Sequence, residues 1–369
     1  MDCSLDMFEP NNHSAYKIGW KDIPEDIKKQ VKGIVEERYP FTVVDNEVRQ
    51  VDEWERMSNN FRVKVSGDGN ESEVILRKHI ALHDEKSIEL QTRILSFLAE
   101  ESFPVPHVIP AEGKKDFIFL GSNYYQMFKF ISGDHYRGSH KELEEVARYI
   151  ARLHKKFSHI PFFDDVAQKP KYLTGWTAQG WNTIFDIVSD KKTYFDATIM
   201  NYKNLILDSM RAIGSVFAKD IHVPVQVVRN SLHPHDTLFE NETLKAILDF
   251  EEVNVGERVR DVANACHRFV RQFAVHHAIE HNEPWQKTLP EGIRIFMDAY
   301  IKENSLDPEE MRFFPLFIKD ELLRKLFRDI SRYCHEGKSE KLEGGELEKK
   351  LGLLEESLEI EKAFKLLFA

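Results

Sequence analysis

Val225–Phe250 reads VQVVRNSLHPHDTLFENETLKAILDF. An apolar strand runs into a polar loop from Arg229 to Asp236. A short apolar piece, Thr237-Leu238-Phe239, then turns through Glu240-Asn241-Glu242 into Ala246-Ile247-Leu248, which ends on Asp249. Strand and turn signals alternate here at hairpin spacing. One acid thus sits in a loop and a second, thirteen residues on, at a strand end. Two carboxylates converging on one point suit a Mg²⁺ ion that also holds nucleotide phosphates. Aspartate is equally at home in turns, so the pair alone leaves a plain structural role open.

Upstream of this segment the pattern divides. Residues 1–15 are polar and read as a loose arm. A helix follows, with Asp22 as cap, Pro24 in the first turn and Glu25 closing an Asp-x-x-Glu box; Ile27, Val31, Ile34 and Val35 form its apolar stripe. Strands are predicted at Phe41–Val44, Phe61–Val65 and Val74–Leu76, the last two joined by Ser66-Gly67-Asp68-Gly69-Asn70. A helix from Asp84 to about Glu101 stops at Phe103-Pro104-Val105-Pro106, and two further strands are read at Phe117–Leu120 and Tyr124–Phe130. Strands, helix, strands make a small α+β lobe that ends near residue 131.

Beyond Gly133 helical periods dominate: Lys141–Phe157, Tyr194–Phe217, Val259–His281, Leu289–Asn304 and Pro308–Tyr333, the last expected to break near Pro315. The tail Glu346–Phe364 spaces Leu347, Leu351, Leu354 and Leu358 as one helix face, suited either to a partner helix or to the parent lobe.

Composition narrows the function classes. The chain has 369 residues, 42% of them hydrophobic and 31% charged, with a formal net charge of -11. A whole-protein attraction to nucleic acid or to an anionic membrane is not expected from such a charge. Three widely spaced cysteines, Cys3, Cys266 and Cys334, build neither a disulfide framework nor a CxxC metal site. Residues 1–16 carry no basic and apolar signal pattern, and no run approaches 18 apolar residues. A cytoplasmic protein is expected.

The quoted segment resembles the signature of the aminoglycoside phosphotransferase/choline-kinase family, relatives of the protein kinases. That family shows His-Gly-Asp-Leu-His-Pro-x-Asn-x-Leu-Phe, then two apolar residues and Asp-Phe. Leu232-His233-Pro234, Leu238-Phe239 and Ile247-Leu248-Asp249-Phe250 match it here, as do Gly256 and Asp261-Val262-Ala263 further on. Ser58–Val65 resembles the family's nucleotide-loop hairpin, and Val74-Ile75-Leu76-Arg77 its strand with the phosphate-binding cation. Tyr124–Gly133 resembles the hinge, and Ala147–His154 the Leu-Ala-x-Leu-His helix.

The resemblance implies a protein-kinase-like, two-lobed α+β fold: a small N-terminal antiparallel-sheet lobe with one main helix, and a larger, mostly helical C-terminal lobe. Residues 1–40 would be arm and helix, 41–131 the nucleotide-binding lobe and 132–369 the catalytic and substrate lobe. It further implies ATP and Mg²⁺ as cofactors and the hydroxyl of a small polar molecule as acceptor, from the aminoglycoside, amino-alcohol or sugar class. Asp249 would be the principal metal ligand and Asp236 a second, with Asp236 also a candidate proton acceptor beside His233 and His235. Arg77, or alternatively Lys78, would clamp phosphates; Ser58 and Asn59 belong to the loop over them; main chain at Met127, Phe128 and Lys129 would take the adenine edge. Asp261 would brace the catalytic loop. Acceptor would lie between Ser231 and the helices after about residue 260, with Trp176–Trp181 and Arg268–His277 as candidate linings.

Several positions depart from the family. Ser231 stands where the catalytic Asp is expected, Arg229 where a His precedes it, and Asp236 where Asn binds metal. Gln91 occupies the place of the Glu that pairs the phosphate-binding cation, and Glu89 lies about 200° around the helix from it. Ser58-Asn59-Asn60 contains no glycine. A serine hydroxyl is no base near neutral pH without an activating partner, but it can hold an acceptor hydroxyl by a hydrogen bond. Two readings follow: a small-molecule kinase, or a pseudokinase that binds nucleotide or serves as a scaffold.

Overall fold

A computed structural model describes residues 17–51, 58–67, 69–80, 84–169, 175–217 and 222–368. The arm expected over residues 1–15 lies outside the described residues. The N-terminal part comprises β1 (Trp20–Lys21), α1 (Glu25–Arg38), β2 (Thr42–Val51), β3 (Ser58–Gly67), β4 (Asn70–His79), α2 (Glu85–Glu100), β5 (Val108–Ile109), β6 (Ile118–Leu120) and β7 (Asn123–Lys129). Its strands form one antiparallel sheet in the order β1-β2-β3-β4-β7-β5, with β6 also pairing β7. The β3–β4 turn closes with Gly67 opposite Asn70 and Gly69 at φ 80°, a conformation that favours glycine. Val63, Val65, Val74, Leu76 and Met127 from the sheet bury against Val31, Val35 and Tyr39 of α1 and its end.

Two local expectations shift. Asp22 does not cap α1; Pro24 takes the cap position and the Asp22 carboxylate pairs with Lys28 at 2.8 Å instead. The run Ser58-Asn59-Asn60 is not a loop but the start of β3, opposite His79, Lys78 and Arg77. Asp84, where the helix is read to begin, caps α2 by accepting from the Ser87 amide at 2.9 Å.

The remainder is mostly helical: α3 (His140–Phe157), α4 (Phe163–Ala167), α5 (Ala178–Val188), α6 (Tyr194–Asn201), α7 (Lys203–Phe217), β8 (Val225–Val228), β9 (Thr237–Glu240), β10 (Thr243–Ile247), β11 (Asn254–Glu257), α8 (Arg258–His281), α9 (Leu289–Glu303), α10 (Pro308–Glu336) and α11 (Glu346–Phe368). The helix read over 194–217 divides at Tyr202. The break expected at Pro315 does not occur: α10 continues through it. Proline forfeits one backbone hydrogen bond there, while the neighbouring Phe314, Phe317 and Ile318 are all buried and hold the turn in place.

The tail helix α11 packs on α9 and α10. Leu347, Leu351 and Leu354 are fully buried, Phe364 stacks on Phe314 at 4.7 Å, and Arg271–Glu356 and Lys319–Glu361 pairs fasten its polar side. Its apolar face is therefore spent inside its own lobe. Helix α2 turns Leu90, Ile94, Leu95 and Leu98 toward this second core, so the two parts meet along α2 and the ends of β4 and β7. No described helix is long and apolar enough to cross a membrane.

Candidate functional site

The chain leaves β8 at Val228, where β8 pairs with β11, and enters the polar loop at Arg229. The Arg229 amide donates to Asp261 Oδ2 at 2.9 Å. The same oxygen meets His154 Nε2 at 3.0 Å, and His154 Nδ1 meets the Tyr300 hydroxyl at 2.7 Å. All three side chains are buried, so α3, α8 and α9 fix the loop's entry through one polar chain. Burial raises the Tyr300 phenol well above its ordinary range.

The Arg229 side chain, 2% exposed, turns inward. It pairs with Asp236 at 2.8 Å and donates to the carbonyls of Asn230 and Leu248. Asp236 also accepts from the His233 amide at 3.0 Å, closing the loop as a tight turn. Burial, with Asp249 nearby, pushes its carboxyl up to about 7 against the pull of Arg229. The side chain read as a metal ligand and proton acceptor is thus engaged with a buried guanidinium.

Asn230 and Ser231 both have positive φ, 59° and 46°. Asparagine is among the residues that enter this region most readily, whereas serine costs about 1–2 kcal/mol. The Asn230 side chain, donating to the Glu252 carbonyl at 2.9 Å, holds the pair of turns to the strand end.

That strand end carries Asp249. Hairpin pairing sets Thr237 opposite Ile247, and the Leu248 amide donates to the Asp236 carbonyl at 2.7 Å, so the two acids are neighbours. Asp249 is half-buried, has φ 56°, and its carboxylate makes no hydrogen bond or ion pair among the described residues. Lys169 holds the following segment from the carbonyls of Glu251 and Val253, its pKa lowered by burial. No group of three or more His, Cys, Asp or Glu side chains among the described residues is arranged to hold a metal by itself. One open carboxylate nonetheless fits Mg²⁺, which commonly takes one or two protein carboxylates and completes its shell with phosphates and water.

Across the cleft, alternation along β4 sends Leu76 into the sheet's core and Arg77 and His79 toward the other lobe. Arg77 Nε donates to Asn60 at 2.9 Å and its terminal nitrogen reaches Glu251 at 3.5 Å. His79 lies between Glu251 (3.2 Å) and Gln126 (2.8 Å), and Gln126 donates on to Thr92 of α2. Glu251, two residues past Asp249, therefore faces the cation that Gln91 leaves unmatched. Gln91 itself is buried, with Oε1 unpartnered. Sequence reading missed Glu251 and His79. The shared face of residues 77 and 79 was the available signal.

The other expected nucleotide contacts redistribute. Ser58 and Asn59 lie in β3, and residues 52–57, between β2 and β3 in sequence, lie outside the described residues. Met127 and Phe128 sit between β4 and β5 with ladders on both sides, the Lys129 amide donates to His107, and that of Phe130 to Glu73. The first main chain beyond these ladders is Ile131–Gly133. Trp181 is fully buried and Trp176 donates its indole N–H to Asp320 at 2.7 Å, so neither ring lines an open acceptor site. A cavity of about 1000 Å³ opens beside Gly133, Asp134 and Glu242. It lies at the far turn of the β9–β10 hairpin, about 10 Å of strand from the end that carries Asp236 and Asp249.

A profile of the phosphotransferase enzyme family matches residues 54–314. No curated protein matches the chain in sequence. Among solved structures, amicoumacin kinase hAmiN in complex with AMP-PNP, Ca²⁺ and Ami is similar at TM-score 0.60 and 12% identity, over 93% of this chain and 95% of that one. Spectinomycin phosphotransferase APH(9)-Ia with ADP and spectinomycin gives 0.60 and 13%, over 91% and 97%. A microcompartment-associated aminopropanol kinase gives 0.54 and 15%, over 89% and 94%. At these identities the likeness is one of fold.

Proposed function

The chain belongs to the phosphotransferase enzyme family, and we propose that it binds ATP with Mg²⁺ between its lobes and transfers the terminal phosphoryl group to a hydroxyl of a small molecule. The observation that carries this reading is Asp249: an open, half-buried carboxylate next to the lobe-bridging Glu251–Arg77 contact. Asp249 would hold the metal, whose chemistry is to neutralise charge on the bridging phosphates. Arg77 would meet phosphate oxygens, for which its fork geometry is suited. Main chain at Ile131–Gly133, rather than Met127–Lys129, would receive the adenine edge.

In the transfer, the bond from the terminal phosphorus to its bridging oxygen breaks and a bond to the acceptor oxygen forms. The acceptor proton leaves to solvent or to the phosphoryl group. Kinase-like transfer is largely dissociative and depends on position and charge more than on a strong base. Ser231 would orient the acceptor hydroxyl. Asp236 we assign as counter-ion of Arg229, with Asp261 fixing the loop. Free thiols at Cys266 (buried) and Cys334 (half-buried) support a reducing, cytoplasmic setting.

Thermal unfolding with ATP and Mg²⁺ tests the binding half. The Tm is expected to rise with both present and not with either alone; no shift under any condition sinks the reading. Turnover tests the second half, and Ser231→Asp is expected to raise it at least about tenfold, since a positioned base contributes about 10²–10⁴ in such steps. A second reading, nucleotide binding without transfer, draws on Ser231 and the Arg229–Asp236 pair together. It prevails if ATP binds and neither the native chain nor Ser231→Asp turns over any hydroxyl compound.

A further inference from the structure

Helix α8 places Arg260, Asn264 and Arg268 at four-residue spacing, on the side that packs against α10. Their partners differ sharply. Arg260 is paired with Asp320 and Glu257. Arg268, only partly exposed, makes no hydrogen bond or ion pair among the described residues, and burial with Arg271 nearby holds its pKa below the ordinary arginine range. From α10, Lys325 reaches Glu321 and the Asn264 side-chain oxygen, both at 3.3 Å. Asn264 and His267 are almost fully buried, and Asn264 Nδ2 and His267 Nε2 have no partner among the described residues.

These groups lie on the acceptor side of the loop. His233, two residues past Ser231, stands in the field of both Arg268 and Lys325, and its pKa is lowered by desolvation and by these cations. Three of the acids whose fields reach the cluster are engaged: Glu321 faces Lys325 and Arg260, Asp236 faces Arg229, and Glu346 faces Lys349. Glu252 lies in the field of Lys169, Arg229 and Lys325, with its Oε2 buried and unpartnered among the described residues. What is left over among the described residues is a guanidinium without a hydrogen bond or ion pair and a buried amide donor with nothing to donate to, beside a lysine that Glu321 already meets at 3.3 Å. A cationic acceptor would meet repulsion there. An anionic oxygen group would satisfy each of them.

We propose that the acceptor carries an anionic group, a phosphate ester or a carboxylate, received by Arg268 and Lys325 with the Asn264 amide as neutral donor. This rests on the phosphotransferase reading for the word acceptor, but the anion site stands on its own contacts. It narrows the substrate from the aminoglycoside and amino-alcohol classes to hydroxy compounds bearing a phosphate or a carboxylate.

The test uses the full chain loaded with AMP-PNP and Mg²⁺, so that the nucleotide's own phosphate site is filled. Glycerol 3-phosphate, glycerate, glycerol and ethanolamine are titrated by calorimetry. Binding of glycerol 3-phosphate, of glycerate, or of both is expected, which also separates the two anion types; glycerol and ethanolamine are expected not to bind. Arg268→Gln should weaken the anion at least about tenfold, as loss of a charge-assisted contact does, while Arg268→Lys retains part of it. An unchanged nucleotide-induced Tm shift shows that the variants fold. No anion binding, equal binding by Arg268→Gln, or tighter binding of ethanolamine overturns the proposal. Should nucleotide fail to bind while the unloaded protein takes glycerol 3-phosphate in an Arg268-dependent way, the anion site stands and the phosphotransfer reading falls.

Discussion

The loop from Arg229 to Asp236 and the strand end from Leu248 to Val253 are joined by one main-chain hydrogen bond of 2.7 Å, yet they manage charge in opposite ways. The loop closes on itself: its one buried cation and its one buried carboxylate answer each other, and the two terminal guanidinium nitrogens also donate to neighbouring carbonyls, while Nε has no partner among the described residues. The strand end is fastened from outside, by Lys169 on two carbonyls and Asn230 on a third, while Asp249 is left open. A side chain that serves stability is surrounded by partners. Asp249, which we propose serves a ligand, is held in place through its backbone and keeps its charged atoms free of hydrogen bonds and ion pairs among the described residues.

The largest expected effect comes from breaking the closed half. At pH 8, Arg229→Met leaves Asp236 buried and unpaired and removes the donors to two carbonyls. The cost should be about 3–5 kcal/mol in urea unfolding, the usual penalty for stripping one partner from a buried pair. Arg229→Met with Asp236→Leu should recover most of that loss, because removing both charges also removes the desolvation problem. A cost below about 1 kcal/mol for the single variant would mean that the pair does not hold the loop.

The open half should respond in the reverse manner. Asp249→Asn removes no contact made within the protein, so unfolding free energy should stay within about 1 kcal/mol of the native chain. The Mg²⁺-dependent rise in Tm with ATP should disappear, with nucleotide affinity falling at least about tenfold by titration. A variant that keeps the metal-dependent shift would show that another group holds the ion.

Much of this arrangement was legible in the residues. The strand-loop-hairpin order of Val225–Phe250 and the alternation of the N-terminal sheet follow from period, because each is a local pattern; the brace at Asp261 came from the family resemblance, and the structure has Asp261 accept from the Arg229 amide. The pairings were not. Arg229 and Asp236 read separately as two departures from a signature; only the turn that brings them within 2.8 Å makes them one coupled change. Glu251 meets Arg77 across 174 residues of sequence, beyond the reach of any spacing argument. Main chain at Met127 and Phe128, read as open to an adenine edge, is paired on both sides because β5, two residues long, occupies the flank opposite β4. Pro315 was read as a break because propensity says nothing of the buried phenylalanines around it.

The smallest effect tests the closed half by pH. The Asp236 carboxyl titrates near 7 in the folded chain against 3.8 for the free group. Between roughly those values the folded state keeps a proton that the unfolded chain has released, so the unfolded state binds fewer protons and stability falls as pH rises. The contribution is full below the unfolded value and is lost by the time pH passes the folded one. Asp236→Asn mimics the protonated side chain and has no such slope. The difference in unfolding free energy, native minus variant, should therefore decline from pH 5 to pH 7 and then level off by pH 8 in urea titrations. A difference that grows with pH would mean that Arg229 outweighs burial and holds Asp236 ionised throughout, so that the loop's closure is an ion pair across the whole range.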